Sequence, residues 1–156
     1  MSDIYDSNKR SKIMSGIKNK NTKPEIKVRK ILCSLGYGQY RLSTKQLKCR
    51  PDIIYAGRKK AIFVNGCFWH GHSCKKARLP ETNRSFWEQK VAINRERDLR
   101  DYQELCDKGW SYLVIWECEL KKRNEEALRG RLKRFMEAAC EVQGEKSYAR
   151  EVLQLV

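Results

Sequence analysis

The order of apolar and polar positions along this 156-residue chain predicts an α/β domain. Helical spacing and strand-like runs follow one another in the order α-α-β-β-β-α-β-α, which is typical of a small mixed β-sheet flanked by helices. The predicted helices cover 7–19, the stretch between Thr22 and Gly36, 83–106 and about 124–140, and the predicted strands cover 39–43, 52–55, 61–65 and 112–116.

Capping signals support the second helix. Thr22 can cap it, Pro24 suits its first turn and Glu25 stands where a capping box needs a carboxylate. Gly36 is placed to end it. Its predicted buried residues are Ile26, Ile31, Leu32 and Leu35.

Turn residues and apolar runs organise the rest of the chain. Residues 56–59 separate two strand-like segments and predict a hairpin, while the nearly continuous apolar run 112–116 is typical of a central strand buried on both faces. Helical spacing predicts that the two later helices bury Phe86, Val91, Ala92, Leu99, Leu105, Leu128, Leu132, Phe135 and Met136.

The charge of the chain is large and uneven. The formal net charge is +15, of which residues 1–50 carry +10, residues 51–100 carry +6 and residues 101–156 carry −1. Such asymmetry is typical of a surface that binds a polyanion, and it favours nucleic acid as the partner over a merely basic surface or a membrane. The residues before position 20 are expected to form a basic DNA-contacting arm.

The remaining composition limits the compartment and the domain count. Seven cysteines, an odd number spread along the chain, do not favour a secreted disulfide framework. No apolar run approaches a membrane span and the N-terminus lacks a signal-peptide core. We therefore expect one cytoplasmic domain over 1–156, ending in a tail at 141–156.

Both histidines of the chain stand between two cysteines. Cys67 and Cys74 bracket His70 and His72, and thiolates with imidazole are the ligands that zinc prefers. A fourth ligand has to come from elsewhere, and Cys118 is the candidate because it follows the buried strand at 112–116. Spacing does not decide which histidine binds the metal, and the alternative is a core loop with incidental cysteines.

A carboxylate begins the strand at 52–55. Asp52 follows Pro51, and an aspartate in that position can bind a divalent ion at a scissile phosphate, although a capping role is the alternative. The usual nuclease pattern places a second carboxylate on the next strand, which here reads Ala61 to Asn65 without one. Another group must complete such a site.

These features together resemble the very short patch repair (Vsr) endonucleases, which nick one strand at T:G mismatches. The resemblance covers about residues 8 to 135. It is carried by 14–17, 22–25, 50–52, 62–74, Phe86-Trp87, Lys90, 94–98, Gly109-Trp110 and 115–118.

The resemblance implies a restriction-endonuclease-like fold and a division of labour among the site residues. Asp52 and the backbone carbonyl of Val64 would bind Mg²⁺, and His70 would be the general base. Glu25 and Asp98 would hold metal-bound waters and the catalytic imidazole. A structural zinc would then be held by Cys67, His72, Cys74 and Cys118.

The resemblance also implies how duplex DNA is read. Phe68, Trp69 and Trp87 would wedge beside the mismatch, where unstacking costs least. Lys90 would contact a base. Met14 and Ile17 would press the first helix into the opposite groove.

One departure and three functions remain open. Family members often carry His or Asp where this chain has Asn65, so an acid–base role there is in doubt. The leading function is an Mg²⁺-dependent mismatch nickase, a monomer acting with or without other repair proteins. The alternatives are a zinc-stabilised DNA-binding module and a related endonuclease of different site specificity.

Overall fold

A computed structural model describes residues 7–16 and 20–139 of the chain. It contains four α-helices: α1 (Ser7–Ser15), α2 (Lys23–Ser34), α3 (Arg84–Asp107) and α4 (Glu125–Glu137). Its three strands are β1 (Ile53–Tyr55), β2 (Lys60–Asn65) and β3 (Ser111–Trp116). Ile17, the remainder of the predicted arm and the tail at 141–156 lie outside the described residues.

The strands form one small mixed sheet in the order β1-β2-β3. β1 pairs antiparallel with β2 through the predicted hairpin, and β2 pairs parallel with β3 from Lys60↔Ser111 to Asn65↔Trp116. Since β2 and β3 are parallel, their carboxyl ends lie side by side. The segments after Asn65 and Trp116 therefore leave the sheet at the same end of the strands. The predicted α/β class with a small mixed sheet is confirmed.

The two faces of the sheet bury separate apolar clusters. One face packs against α3 and includes Phe63, Tyr102 and Val114. The other packs against α2 and α4 and includes Leu32, Ile62 and Leu132. Neighbouring strand residues point to opposite faces, so a strand covered on both sides reads as a continuous apolar run.

Two strand predictions are wrong. Residues 39–43 do not form a strand, because their pairing with β1 is limited to one bridge between Arg41 and Ile54. β3 is fully buried as expected, but it lies at the edge of the described sheet and β2 is the central strand. Its outer edge is covered by side chains, because Arg131 Nη2 donates to Val114 O and Glu119 Oε2 accepts from Trp116 N.

Four predicted core positions are exposed. Ile26 is 40% exposed, Phe86 57% and Leu99 38%, and Ala92 is exposed as well. Helical spacing identifies an apolar stripe but does not say which side meets the sheet. The residues of the two later helices that are buried as predicted are Val91, Leu105, Leu128, Leu132 and Met136. Within the described part of the chain, no helix is both long and apolar enough to cross a membrane.

Candidate active site and metal centre

The start of α2 places one buried carboxylate near the edge of the sheet. Glu25 Oε1 accepts from Thr22 Oγ1 at 2.8 Å, and its Oε2 accepts from Asn21 N at 2.8 Å and from Arg29 Nη2 at 2.9 Å. The Glu25 amide in turn donates to Thr22 Oγ1 at 3.4 Å, as a capping box requires. Glu25 therefore builds the helix start as well as the environment of Asp52, whose pKa it helps to raise.

Asp52 contacts Val64 just beyond the last paired residues of the β1–β2 hairpin. β1 begins at Ile53, opposite Ile62, so the Val64 amide lies beyond the last paired residue of β1. Asp52 Oδ2 accepts a hydrogen bond from that amide at 2.7 Å. The carbonyl of a strand residue points to the same side as its N–H, so Val64 O faces the same gap as the carboxylate.

The Asp52 carboxyl lacks a full compensating charge. Burial raises its pKa to about 6, and the nearby Glu25 carboxylate adds to this, although the Val64 amide, His70 and Arg29 act in the opposite direction. The backbone connects the two groups, because the His70 amide donates to Gly66 O at 3.2 Å, two residues after Val64, whose own amide donates to Asp52. A partly buried carboxylate beside a carbonyl oxygen is a hard-oxygen donor set that fits Mg²⁺.

The His70 ring is held by a second carboxylate. His70 Nδ1 lies 2.5 Å from Asp98 Oδ2, with the histidine side chain 17% and the aspartate side chain 8% exposed. An ionised carboxylate can only accept, so Nδ1 is the donor of this pair, and a neutral ring then has its lone pair on Nε2. This is the tautomer that a general base needs.

The other histidine joins three cysteines. One ligand atom each from Cys67, His72, Cys74 and Cys118 lies within 4.8 Å of the others. The parallel pairing of β2 and β3 explains the meeting, because Cys67 and Cys118 each follow by two residues the paired strand ends Asn65 and Trp116. The His72 ring also stacks on Trp116, with centroids 4.4 Å apart and planes at 24°.

This cluster fits a structural zinc ion. Cys118 Sγ and His72 Nδ1 are 3.6 Å apart. That separation matches the edge of a tetrahedron with zinc–sulfur and zinc–nitrogen bonds of about 2.3 and 2.1 Å. Burial raises the pKa of Cys67 to about 12. Burial acts in the same direction on Cys74, yet hydrogen bonds with His72, Lys76 and the other two thiols lower its pKa to about 7. A cation would be needed to keep all three thiols deprotonated.

The three candidate wedge residues form one aromatic cluster. The ring centroid of Phe68 lies 5.2 Å from those of both Trp69 and Trp87, and the centroids of the two tryptophans are 6.0 Å apart. All three pairs are in edge-to-face contact. Trp87 is 8% exposed, and its indole N–H has no hydrogen-bond partner among the described residues. Phe86 extends the cluster outward at 5.2 Å from Trp87.

The other candidate contacts are placed less completely. Lys90 is exposed one turn after Trp87 on α3. Met14 belongs to α1, but its side chain is not among the parts described, and Ile17 lies outside the described residues. Asn65 is buried and its amide donates to Tyr102 Oη at 3.2 Å, so in this structure it bonds to the core.

Sequence reasoning assigned no role to two residues that hold the loop carrying His70. Asn94 Nδ2 donates to Trp69 O at 2.8 Å, and Arg95 donates to the carbonyls of His70 and Gly71. Their spacing from Asp98 was the available signal, because positions four and three residues earlier on a helix lie on the same face.

The site thus combines a partly buried carboxylate, a carboxylate-held imidazole and a Cys/His cluster on a strongly basic chain. Such groups are typical of a metal-dependent hydrolase that acts on a polyanion. Comparison with known proteins makes the class specific.

Residues 2–76 match the family model described as DNA mismatch endonuclease Vsr. The chain is 43% identical over 136 residues to the type II nicking enzyme V.NmeAIP of Neisseria meningitidis, a match covering 87% of this chain and 95% of that protein. It is 39% identical to the type II nicking enzyme V.XorIIP of Xanthomonas oryzae pv. oryzae, over 88% of this chain and 98% of the relative. It is 37% identical to the DNA mismatch endonuclease Vsr of Escherichia coli, over 87% and 88%.

The protein is therefore a DNA endonuclease, a hydrolase of phosphodiester bonds. It belongs to the Vsr family of DNA mismatch repair endonucleases.

Proposed function

We propose that this endonuclease nicks one strand of duplex DNA on the 5′ side of the T in a T:G mismatch and so initiates very short patch repair. The observation that carries the proposal is the arrangement at the end of β2, where Asp52 contacts the Val64 amide and the following loop carries the Asp98-bound His70 and the aromatic cluster of Phe68, Trp69 and Trp87. This arrangement supports hydrolysis next to a weakened base step that the rings would enter.

The hydrolytic roles follow from hydrogen bonding. His70 Nε2 takes a proton from the attacking water, and Asp98 stabilises the imidazolium that results. A positioned base of this kind contributes typically about 10²–10⁴-fold to the rate. Glu25 supports this site by helping to hold water near Asp52, in addition to its bonds at the start of α2.

Asp52 and the carbonyl of Val64 are the proposed Mg²⁺ ligands. Bound there, the ion would polarise the phosphate and lower the pKa of its water. Cys67, His72, Cys74 and Cys118 are proposed to hold a zinc ion that stabilises the fold, since all four ligand positions are protein groups.

The relatives support the two halves of the proposed specificity. The Escherichia coli relative is named a mismatch endonuclease, and two Neisseria and Xanthomonas relatives are named nicking enzymes. In this chain, Phe68, Trp69 and Trp87 would unstack the mismatch, a step that costs least where base pairing is already poor. Lys90, on the same face of α3 as Trp87, would contact a base. Met14 and Ile17 would press the first helix into the opposite groove of the DNA.

The wider organisation is part of the same proposal. We infer that residues 1–156 form one monomeric, restriction-endonuclease-like domain with a DNA-contacting arm before residue 20, acting on DNA inside the cell, with or without other repair proteins. The two apolar clusters share one sheet, which supports a single domain.

A related nickase with another recognition site is the second candidate. It is favoured by the several relatives named type II nicking enzymes. Both candidates predict strand nicking and differ only in the substrate.

Strand-labelled duplexes separate the two. Duplexes differing only in T:G, T:A or C:G at one position are incubated with and without Mg²⁺, with each strand labelled in turn. Nicking confined to the T strand of the T:G duplex and dependent on Mg²⁺ supports the proposal. Equal nicking of matched and mismatched duplexes would favour the second candidate, and metal-independent nicking would contradict the Mg²⁺ assignment.

A further inference from the structure

Helix α3 holds three successive residues of the loop that carries His70. Asn94 Nδ2 donates to Trp69 O, and Arg95 donates from Nε to His70 O at 3.3 Å and from Nη2 to Gly71 O. Asp98 holds the His70 ring from the next turn of the same helix. One rigid element therefore fixes both the backbone and the side chain of His70.

Gly71 allows the loop to lie directly on the helix. Its φ is +62°, and a Cβ at this position would lie 2.5 Å from Val91 Cγ1 and 2.8 Å from Arg95 Nε. Real Cβ atoms do not come that close to such neighbours. Glycine avoids the strain of a left-handed backbone and leaves room for the guanidinium to approach.

His70 lies in the loop between Trp69 and His72, and each of these residues packs in a different cluster. Trp69 belongs to the aromatic cluster, whereas His72 belongs to the Cys/His cluster and stacks on Trp116. Movement of either cluster would turn the peptide between His70 and Gly71, and with it the imidazole. Arg95 binds the carbonyl of this peptide, His70 O, and the carbonyl of the next peptide, Gly71 O.

We propose that Arg95 is a positioning residue that fixes the His70 imidazole relative to Asp52, with Gly71 as its steric counterpart. The inference rests on the proposed hydrolytic role of His70. It assigns Arg95 to the loop and not to DNA phosphate, because two nitrogens of its partly buried guanidinium are bound to loop carbonyls. The rigid planar fork of arginine suits two neighbouring acceptors, whereas the single ammonium of lysine does not.

The test compares Arg95→Ala and Arg95→Lys with the control Arg100→Ala. Arg100 is exposed on α3, about 140° around the helix from Arg95 at about 100° per residue, and so the control removes the same charge away from the loop. Zinc content, DNA affinity at several salt concentrations and single-turnover nicking of the T:G duplex are measured for each.

Both Arg95 variants are expected to keep zinc and DNA affinity but to nick about 10- to 100-fold more slowly at saturating enzyme, since small misplacements can cost about 10² in rate. Arg100→Ala should nick within about twofold of the unaltered protein. Full activity of Arg95→Lys would overturn the proposal. So would loss of zinc in Arg95→Ala, or a salt-dependence slope smaller by about 0.9, which would indicate a lost phosphate contact.

A spectroscopic measurement makes the inference independent of nicking. The proton between His70 Nδ1 and Asp98 should give a downfield NMR signal in the free protein, assigned by its absence in His70→Gln. In Arg95→Ala it should broaden and exchange faster with water, while an unchanged signal would contradict the positioning role. If the unaltered protein nicks none of the duplexes, the proposed function fails, but this comparison still decides the role of Arg95.

Discussion

His70 and His72 stand two residues apart on one loop, yet their rings enter different surroundings. The His70 ring meets a carboxylate on α3, whereas the His72 ring meets cysteines that follow two parallel strands. Asp98 leaves His70 one free nitrogen beside Asp52, while the thiols around His72 favour a metal ion. The partner of each ring therefore separates a candidate base from a candidate ligand, and variants on either side should fail differently.

The largest effect is expected on the cysteine side. Cys74→Ala removes one of four zinc ligands, and structural zinc contributes folding free energy directly, about 10–16 kcal/mol in zinc-finger peptides. The variant should lose the metal and most of its folded population, as measured by elemental analysis and circular dichroism. Cys33→Ala, at an exposed cysteine outside the cluster, is the matched control and should keep both. Purified, active protein without zinc would contradict the assignment.

On the His70 side of the comparison, Asp52→Asn should abolish nicking without loss of DNA binding. The amide keeps the shape of the carboxylate but removes the charge that would bind Mg²⁺, while the basic surface is unchanged. Gel-shift and nicking assays measure the two properties separately. Robust Mg²⁺-dependent nicking by this variant would remove Asp52 from the proposed site.

The two histidines give the direct test of the comparison. His70→Ala should retain zinc and DNA affinity but lose about 10²–10⁴-fold in nicking rate, the usual contribution of a positioned base. His72→Ala should lose zinc and stability instead. Release of zinc by the first variant together with normal nicking by the second would show that the two roles are reversed.

The aromatic cluster adjoins the His70 side of the loop, and there the effect should fall on selectivity. Trp69→Ala should lower the preference for T:G over T:A by about 1–3 kcal/mol, the usual range for one base–aromatic stack. Phe86→Ala removes an exposed ring from the rim of the cluster and should change it less. Competitive nicking of mixed duplexes measures both, and an unaltered ratio in Trp69→Ala would exclude the wedge.

The smallest effect is expected at a carboxylate outside both environments. Burial would raise the pKa of Glu104, but hydrogen bonds from Lys108 and from the amides of Lys48 and Cys49 hold it at about 2. Glu104→Gln should cost about 1–3 kcal/mol of unfolding free energy, because it weakens the acceptor for two amides.

Since the folded pKa of Glu104 is below its ordinary value of 4.5, its contribution should be fully present above that value. It should disappear as the pH falls through about 2. Urea unfolding of both proteins at neutral and acidic pH measures the difference, which should narrow in acid. A difference in unfolding free energy that widens in acid would contradict the proposed contribution of Glu104.

The predictable parts of the molecule are those decided by near neighbours. The helix cap formed by Thr22 and Glu25 involves residues three apart, although Glu25 accepts from the Asn21 amide and not from the Thr22 amide of a full capping box. The parallel strand ends explain why Cys118 can reach Cys67. The choice between His70 and His72 was not available from spacing, because the deciding partners, Asp98 and Cys118, are 28 and 46 residues away.

The errors have the same origin. Residues 39–43 alternate like a strand, but only Arg41 pairs with β1, and the nearby backbone of Lys48 is held by Glu104 from 56 residues away. Phe86 fits the apolar stripe of α3, yet it lies outside the packed cluster because Trp87 occupies the inner position. Long-range contacts, which no local pattern encodes, decide these cases.

The covered edge of β3 has a consequence for how copies of the protein meet. An open strand edge offers amides and carbonyls to any extended chain, and this is a common route to aggregation. Here Arg131 occupies one carbonyl and Glu119 one amide of that edge, and the two side chains form an ion pair with each other. A strand from another molecule would have to separate this pair before it could add to the sheet, so the sheet ends at three strands within the described chain.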